Sequence, residues 1–333
     1  MKRCAIPALT FTLLLALAPA VRGAGNEPVK LTQQGNTIEI MIGGKHFTTY
    51  YFTPEVAKPY FQPLRSAQGT IVTRGYPIIN EITATEAKHD PNLEPHQRPM
   101  YFGHGDINGY DFWGEEAFVK FYGKEASPRY GRQVFRKLDK LQSGADSGAL
   151  RATFDLVGPD GKPFAEETQS YTFRGNENSR VVDCEISLTA NHGPVKMGDT
   201  KEGTFAIRVA PELQEPAVHM LNSEGKVGEK EIWGKRANWV DYSGTVSGEK
   251  LGIAIFDNPQ NLRHPSTWHA RGYGLFSVNP FGESYFYRDP KRNGSYTIEP
   301  GKTLTLRYRV IIHHGDAAQA HVAEAYKTYA AGK

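Results

Sequence analysis

The chain has 333 residues, with 39 Lys and Arg against 36 Asp and Glu, a formal net charge of +3, and 34 Gly, 21 Pro and 2 Cys. Its 17 Tyr, 17 Phe and 4 Trp supply enough aromatic surface for a sizeable core, which excludes an intrinsically disordered chain. The near balance of charge excludes the concentrated positive field expected of a nucleic-acid binder.

Lys2 and Arg3 precede an apolar run from Ala5 to Ala18, and small residues follow at Ala18-Pro19-Ala20 and Gly23. This is the grammar of a secretory signal cleaved after Ala20 or Gly23, and the run is short for a membrane span of roughly 20 residues. Residues 1–23 are therefore expected to be removed, leaving 24–333 as a single exported domain, periplasmic or extracellular. Cys4 precedes the apolar run and leaves with it, so Cys184 has no intramolecular disulfide partner. No other apolar stretch approaches spanning length.

The mature chain reads as β almost throughout. Short runs of β-branched and aromatic residues alternate with period two and end at Gly, Pro, Asn or Asp. They include Thr37 to Ile42 before Gly43-Gly44, Arg151 to Val157 before Gly158-Pro159-Asp160-Gly161, Gly203 to Val209, Leu251 to Phe256 and Leu304 to Ile312. Only Ala317 to Ala331 reads as a helix, rich in Ala and free of Gly and Pro. The turn chemistry favours antiparallel sheets over repeated βαβ units. The expected fold is all-β, a large antiparallel β-sandwich with a short C-terminal helix. A mutarotase-like supersandwich is the specific expectation and a jelly roll the alternative.

Two segments break the alternation, Glu81 to Glu116 and Asp257 to Tyr287, and stretches of that length are commonly functional loops. The first holds Pro95-His96-Gln97-Arg98, His104, Asn108 and Trp113. An imidazole two residues from a guanidinium suits a site that moves a proton while holding an anion or a developing oxyanion. The second holds His264, Trp268-His269-Ala270-Arg271, Tyr273 and Asn279, repeating the His-x-Arg spacing beside flat aromatic faces of the kind a sugar ring stacks on. Between them, Trp233 to Gly244 offers Asp241 as an acid or base and Trp239 as a wall. The candidate catalytic residues are thus His96, His104, Asp241 and His269. Candidate substrate-binding residues are Arg98, Asn108, Trp113, Trp239, His264, Trp268, Arg271, Tyr273 and Asn279.

No His-x-x-x-His or Cys-x-x-Cys spacing is present. A divalent metal, compatible with the sequence but not required by it, would have to be assembled from His96, His104, His264 or His269 across loops. In His313-His314, neighbours on a strand point to opposite faces, so one is expected buried and one exposed. There is no Gly-x-Ser-x-Gly, Walker loop or dinucleotide fingerprint.

Several of these segments resemble the PmoA ("methane oxygenase PmoA") family, also filed as a domain of unknown function. They are Pro59 to Arg65, Val72 to Pro77, Pro95 to Arg98, Phe102 to Trp113, Trp233 to Gly244 and His264 to Gly282, and the resemblance extends over roughly the whole mature chain. The resemblance implies secreted bacterial proteins of polysaccharide degraders and, by its label, a metal-dependent oxidase or oxygenase. That family usually opens its histidine-rich loop with Asp-His-Pro-His, whereas Leu93-Glu94-Pro95-His96 stands here, leaving His89 or Glu94 to substitute as a ligand. The residues themselves favour a carbohydrate-active hydrolase, lyase or epimerase. A non-catalytic carbohydrate-binding protein and the metal-dependent oxidase are the alternatives.

Overall fold

The computed structural model describes residues 25–76, 94–115 and 129–332; the expected leader and His89 lie outside them. Two eight-stranded antiparallel sheets face each other. The first runs in the order β1 (Val29–Gln34), β2 (Thr37–Ile42), β3 (Lys45–Tyr51), β4 (Tyr60–Gln62), β5 (Met100–His104), β11 (Gly203–Arg208), β16 (Leu275–Asn279) and β15 (Thr267–Ala270). The second runs β12 (His219–Asn222), β13 (Trp239–Val246), β14 (Glu249–Asp257), β18 (Thr303–His314), β9 (Ser179–Thr189), β8 (Pro163–Gly175), β7 (Gly148–Val157) and β6 (Arg132–Gln142). β10 (Val195–Met197) and β17 (Tyr296–Ile298) form a separate pair. Consecutive strands such as β1 to β5 and β6 to β9 are neighbours within one sheet, so the order is that of two facing meanders. A jelly roll, built of two Greek keys, does not have this order.

One apolar core spans the space between the sheets, from Val29 and Phe61 on the first to Val182 and Val310 on the second. The second sheet has one wet face, and β9 and β18 accordingly alternate buried and half-buried residues. The central strands of the first sheet do not alternate, because every residue of β5, β11, β15 and β16 is buried. Their odd and even residues still divide. Phe102, Phe205, Ile207, Trp268, Phe276 and Val278 join the inter-sheet core. Tyr60, Tyr101, Ala206 and Leu275 join Trp113 in a separate cluster on the outer face. Loops cover that outer face, and the candidate site lies there.

Three expectations change. The segments expected as irregular loops contain β5, β15, β16 and a helical turn α2 (Glu283–Phe286), because strands covered on both faces carry no polar alternation. The C-terminal helix α3 is Val322–Ala330, not 317–331. The Asp316 carboxylate captures the N–H groups of Ala318 and Gln319 and holds the chain in a turn before the helix starts. A further helical turn, α1, lies at Glu229–Ile232.

Candidate functional site

Alternation of side chains along the first sheet decides which residues can reach the site. Pairing of β5 with β11 places Tyr101 beside Ala206, and Arg208 lies two residues further along on the same face. Arg74 runs alongside, its N–H donating to Arg208 O at 3.1 Å. Both guanidiniums hold the Glu94–Gln97 turn: Arg74 Nη1 donates to Glu94 O at 2.9 Å and Gln97 O at 3.1 Å, and Arg208 Nη1 donates to Gln97 Oε1. That turn delivers His96, whose Nε2 lies 3.3 Å from Glu94 Oε2.

A second loop closes over β5. Asp111 Oδ1 accepts the N–H groups of Trp113 and Gly114, both at 2.8 Å, and turns the chain so that Trp113 lies against Tyr101, ring centroids 5.1 Å apart. Glycine at 103 makes this approach feasible, since a Cβ there would sit 2.6 Å from Phe112 O. Beneath the loop Lys58 Nζ donates to Trp113 O at 2.6 Å, and Arg98 donates from Nε and Nη2 to Glu115 Oε1 at 3.1 and 2.8 Å.

Burial pulls Lys58 down to about 8, against the pull of Glu115. Burial alone would raise Glu115, but Lys58 and Arg98 outweigh it and hold the carboxyl below its usual value. His96 is held well below its usual value by burial first, then by Lys58, Arg74, Arg208 and Arg98, so it is neutral at physiological pH.

From the other side β15 presents His269 on the outer face while Trp268 and Ala270 point inward. His269 Nδ1 donates to Lys201 O at 3.1 Å, which fixes the tautomer and leaves Nε2 as an acceptor. Burial, then Lys201 and Arg271, lower this imidazole to about 3. Tyr273 completes the wall, with the guanidinium carbons of Arg208 and Arg271 at 4.7 and 5.2 Å from its ring centroid.

The result is a cleft of about 290 Å³ lined by Glu94, His96, Asp111, Trp113, Glu202 and His269, together with Gln97, Gly114, Tyr130, Lys201 and Tyr273. His269 Nε2 and Trp113 Nε1 have no hydrogen-bond partner among the described residues. Two larger clefts exist, of about 460 and 510 Å³, on the outer face of the second sheet and along β6; neither is lined by a histidine.

Of the residues expected at the site, His96, His269, Trp113 and Tyr273 converge. Arg98 lies beneath them and Arg271 at the rim, paired with Glu229 at 2.8 Å. The others lie elsewhere. His104 shares the inward parity of Phe102, packs on Phe281 and meets Gly198 O at 2.8 Å; burial lowers it to about 4. Trp268 is a core residue, its Nε1 donating to Ala237 O. Asp241 and Trp239 belong to the second sheet, where Asp241 binds His313 Nε2 at 2.8 Å and Trp239 packs under α3. His264 is held between Asp257, at 3.0 Å, and Tyr326, at 3.3 Å. Asn108 and Asn279 brace turns through Pro194 O, Lys196 N, Thr200 O and Phe281 N. Of the adjacent histidines, His313 is buried and His314 exposed.

Sequence reasoning missed Lys58, Arg74, Gln97, Asp111, Glu115, Lys201, Glu202 and Arg208. One signal existed, a charge at Arg208 on the parity opposite Phe205 and Ile207 in a run whose other residues from Phe205 to Val209 are apolar. Among the described residues no group of three or more metal-ligating side chains comes together.

Residues 37–327 match the model of a family described as "Family of unknown function (DUF6807)". That match overturns the resemblance to the PmoA family, and the metal-dependent oxidase expectation loses the label it was built on. No curated protein matches the sequence. Among solved structures the chain is similar to a galactose mutarotase-like protein from Clostridium acetobutylicum, at 12% identity and a TM-score of 0.41, covering 87% of this chain and 99% of that one. A putative aldose 1-epimerase from Escherichia coli K12 shares 10% identity at a TM-score of 0.35, covering 86% and 99%. A GH36 α-galactosidase from Geobacillus stearothermophilus shares 9% identity at 0.40; 88% of this chain spans 41% of that protein.

Proposed function

The chain belongs to this family of unknown function, DUF6807, and from its own residues we propose that it is a carbohydrate-active enzyme, a hydrolase, lyase or epimerase that binds a sugar or glycoside in the cleft beside His96 and His269. The observation that carries this reading is the convergence of two neutral imidazoles from distant segments in one cleft walled by Trp113 and Tyr273. The aromatic faces take the C–H side of a pyranose, and His269 Nε2, an acceptor with no partner among the described residues, takes a hydroxyl hydrogen.

Proton transfer falls to His96 with Glu94. The imidazole is neutral and the carboxylate 3.3 Å away is partly open to the cleft, so a proton taken from a substrate oxygen is shared between them. Lys58, Arg74, Arg98 and Arg208 surround His96 and favour negative charge developing on that oxygen. The runner-up is a non-catalytic carbohydrate-binding protein, which needs the aromatic walls of Trp113 and Tyr273 but no proton transfer.

A mass-spectrometric product screen separates the two. Purified protein is incubated with a panel of polysaccharides and glycosides, with and without chelator, beside His96→Ala. The enzyme reading expects a new product that vanishes in the variant while glycan binding remains. Binding without product in either protein would replace it with the binding reading.

We also propose export to the periplasm or beyond through cleavage of the segment ending at Ala20 or Gly23, supported by the charged and apolar pattern of Lys2 to Ala20. The intact mass of protein recovered from the periplasm and medium is expected to lack this segment, and full-length protein confined to the cytoplasm would end the proposal.

A further inference from the structure

The described aromatic residues are almost all covered, yet three tyrosines are more than a third exposed: Tyr285 at 52%, Tyr287 at 38% and Tyr296 at 37%. They fall within one short stretch of chain, and that stretch borders the cleft. Tyr285 lies in α2, whose next residue, Phe286, is buried against Trp233 and His269, ring centroids 5.5 and 6.4 Å away. Lys201, a cleft residue whose carbonyl holds His269, places its Nζ 5.6 Å from the Tyr285 ring centroid. The exposed ring is therefore reached from the cleft across a single side chain.

Its support is rigid. Asp199 Oδ2 accepts the N–H groups of Ser284 at 3.0 Å and Gly294 at 2.7 Å, and Glu283 pairs with Arg236 at 2.9 Å. An aromatic side chain left at solvent on a pinned segment loses little conformational freedom when a ligand stacks on it. The cleft, at about 290 Å³, is at the small end of the range for ligand pockets, so a longer glycan must leave it over the rim.

We propose that Tyr285 is the platform of a second sugar subsite, so that the ligand of this cleft is an oligosaccharide whose neighbouring ring stacks on Tyr285. The proposal rests on the carbohydrate reading of the cleft. Amphipathic pyranose rings fit a half-exposed tyrosine beside an ammonium, since the ring takes the C–H face and Lys201 offers donors to the hydroxyls.

The test is calorimetric binding of cello-, xylo-, manno- and galacto-oligosaccharides, each from the single unit upward, to the full chain and to Tyr285→Ala and Tyr285→Phe. Thermal melts confirm that the variants fold, as expected for an exposed side chain. In the unaltered protein affinity rises from the single unit to the longer ligands. Tyr285→Ala weakens the longer ligands by about three- to tenfold and leaves the single unit unchanged, whereas Tyr285→Phe keeps both. An equal loss at every length, no loss at any, or no gain with length in the unaltered protein overturns the second subsite and leaves the cleft reading standing. Failure of the unaltered protein to bind any member overturns both.

Discussion

Glu167 shows how far burial alone can move one group. It lies within the inter-sheet core, where Oε1 accepts a hydrogen bond from Gln169 Nε2 at 2.5 Å, and Gln169 Oε1 accepts from Tyr50 and Tyr171, each at 2.8 Å. Burial raises the carboxyl from 4.5 to about 8, so the folded protein keeps a proton that the unfolded chain releases. The linked stability is full below about pH 4.5 and is lost as the pH rises towards 8. Glu167→Gln keeps the accepting oxygen and removes the titration. Melting followed across this window is expected to show the variant more stable than the parent near pH 8 and the difference closing towards pH 4.5; parallel curves would refute the assignment. The same physics separates residues that look alike in sequence. Trp113 and Trp268 both sit among aromatic and polar neighbours, yet one walls the cleft and the other fills the core. The choice depends on which face each segment presents, and composition carries no record of that.

At the scale of elements, legibility followed alternation where one face is wet and β-branched content where neither is, as in β11 and the Leu251 to Phe256 run of β14, which are covered on both faces and still read as strands. The run Thr37 to Ile42 coincides with β2, and Leu304 to Ile312 lies within β18, because each has one covered and one partly wet face and so alternates. β5, β15 and β16 were hidden because coverage on both faces removes the alternation and their short runs, set among His, Pro, Gly and Asn, have few β-branched residues to mark a strand. That same coverage builds the site, through the loop from Asp111 to Glu115 laid directly on β5. Gly103→Ala tests this dependence. The added methyl meets Phe112 O, so the loop must lift and carry Trp113 off the wall. The expected cost is about 1–3 kcal/mol of stability, read by denaturant unfolding, together with loss of ligand binding at the cleft. Retained binding would show that the loop adjusts without moving the tryptophan.

At the scale of the whole molecule, two meanders pack face to face and leave each sheet one outer surface. The second sheet spends its surface on α3 and on ladders such as Arg309 with Asp183. The first covers its own with loops that carry the candidate chemistry. The paired His-x-Arg segments were visible in the sequence, and both histidines do line one cleft. Asp241 and Trp239 were not separable from them in sequence, since nothing local says that β13 belongs to the other sheet. By itself the sequence determined the all-β class, several strands and the two histidine-bearing segments that meet, because those depend on local periodicity and residue type. Only the tertiary structure decided which sheet face each side chain occupies, which cations gather under His96 and where the exposed tyrosines stand, because sheet order and loop coverage arise from contacts between residues far apart along the chain.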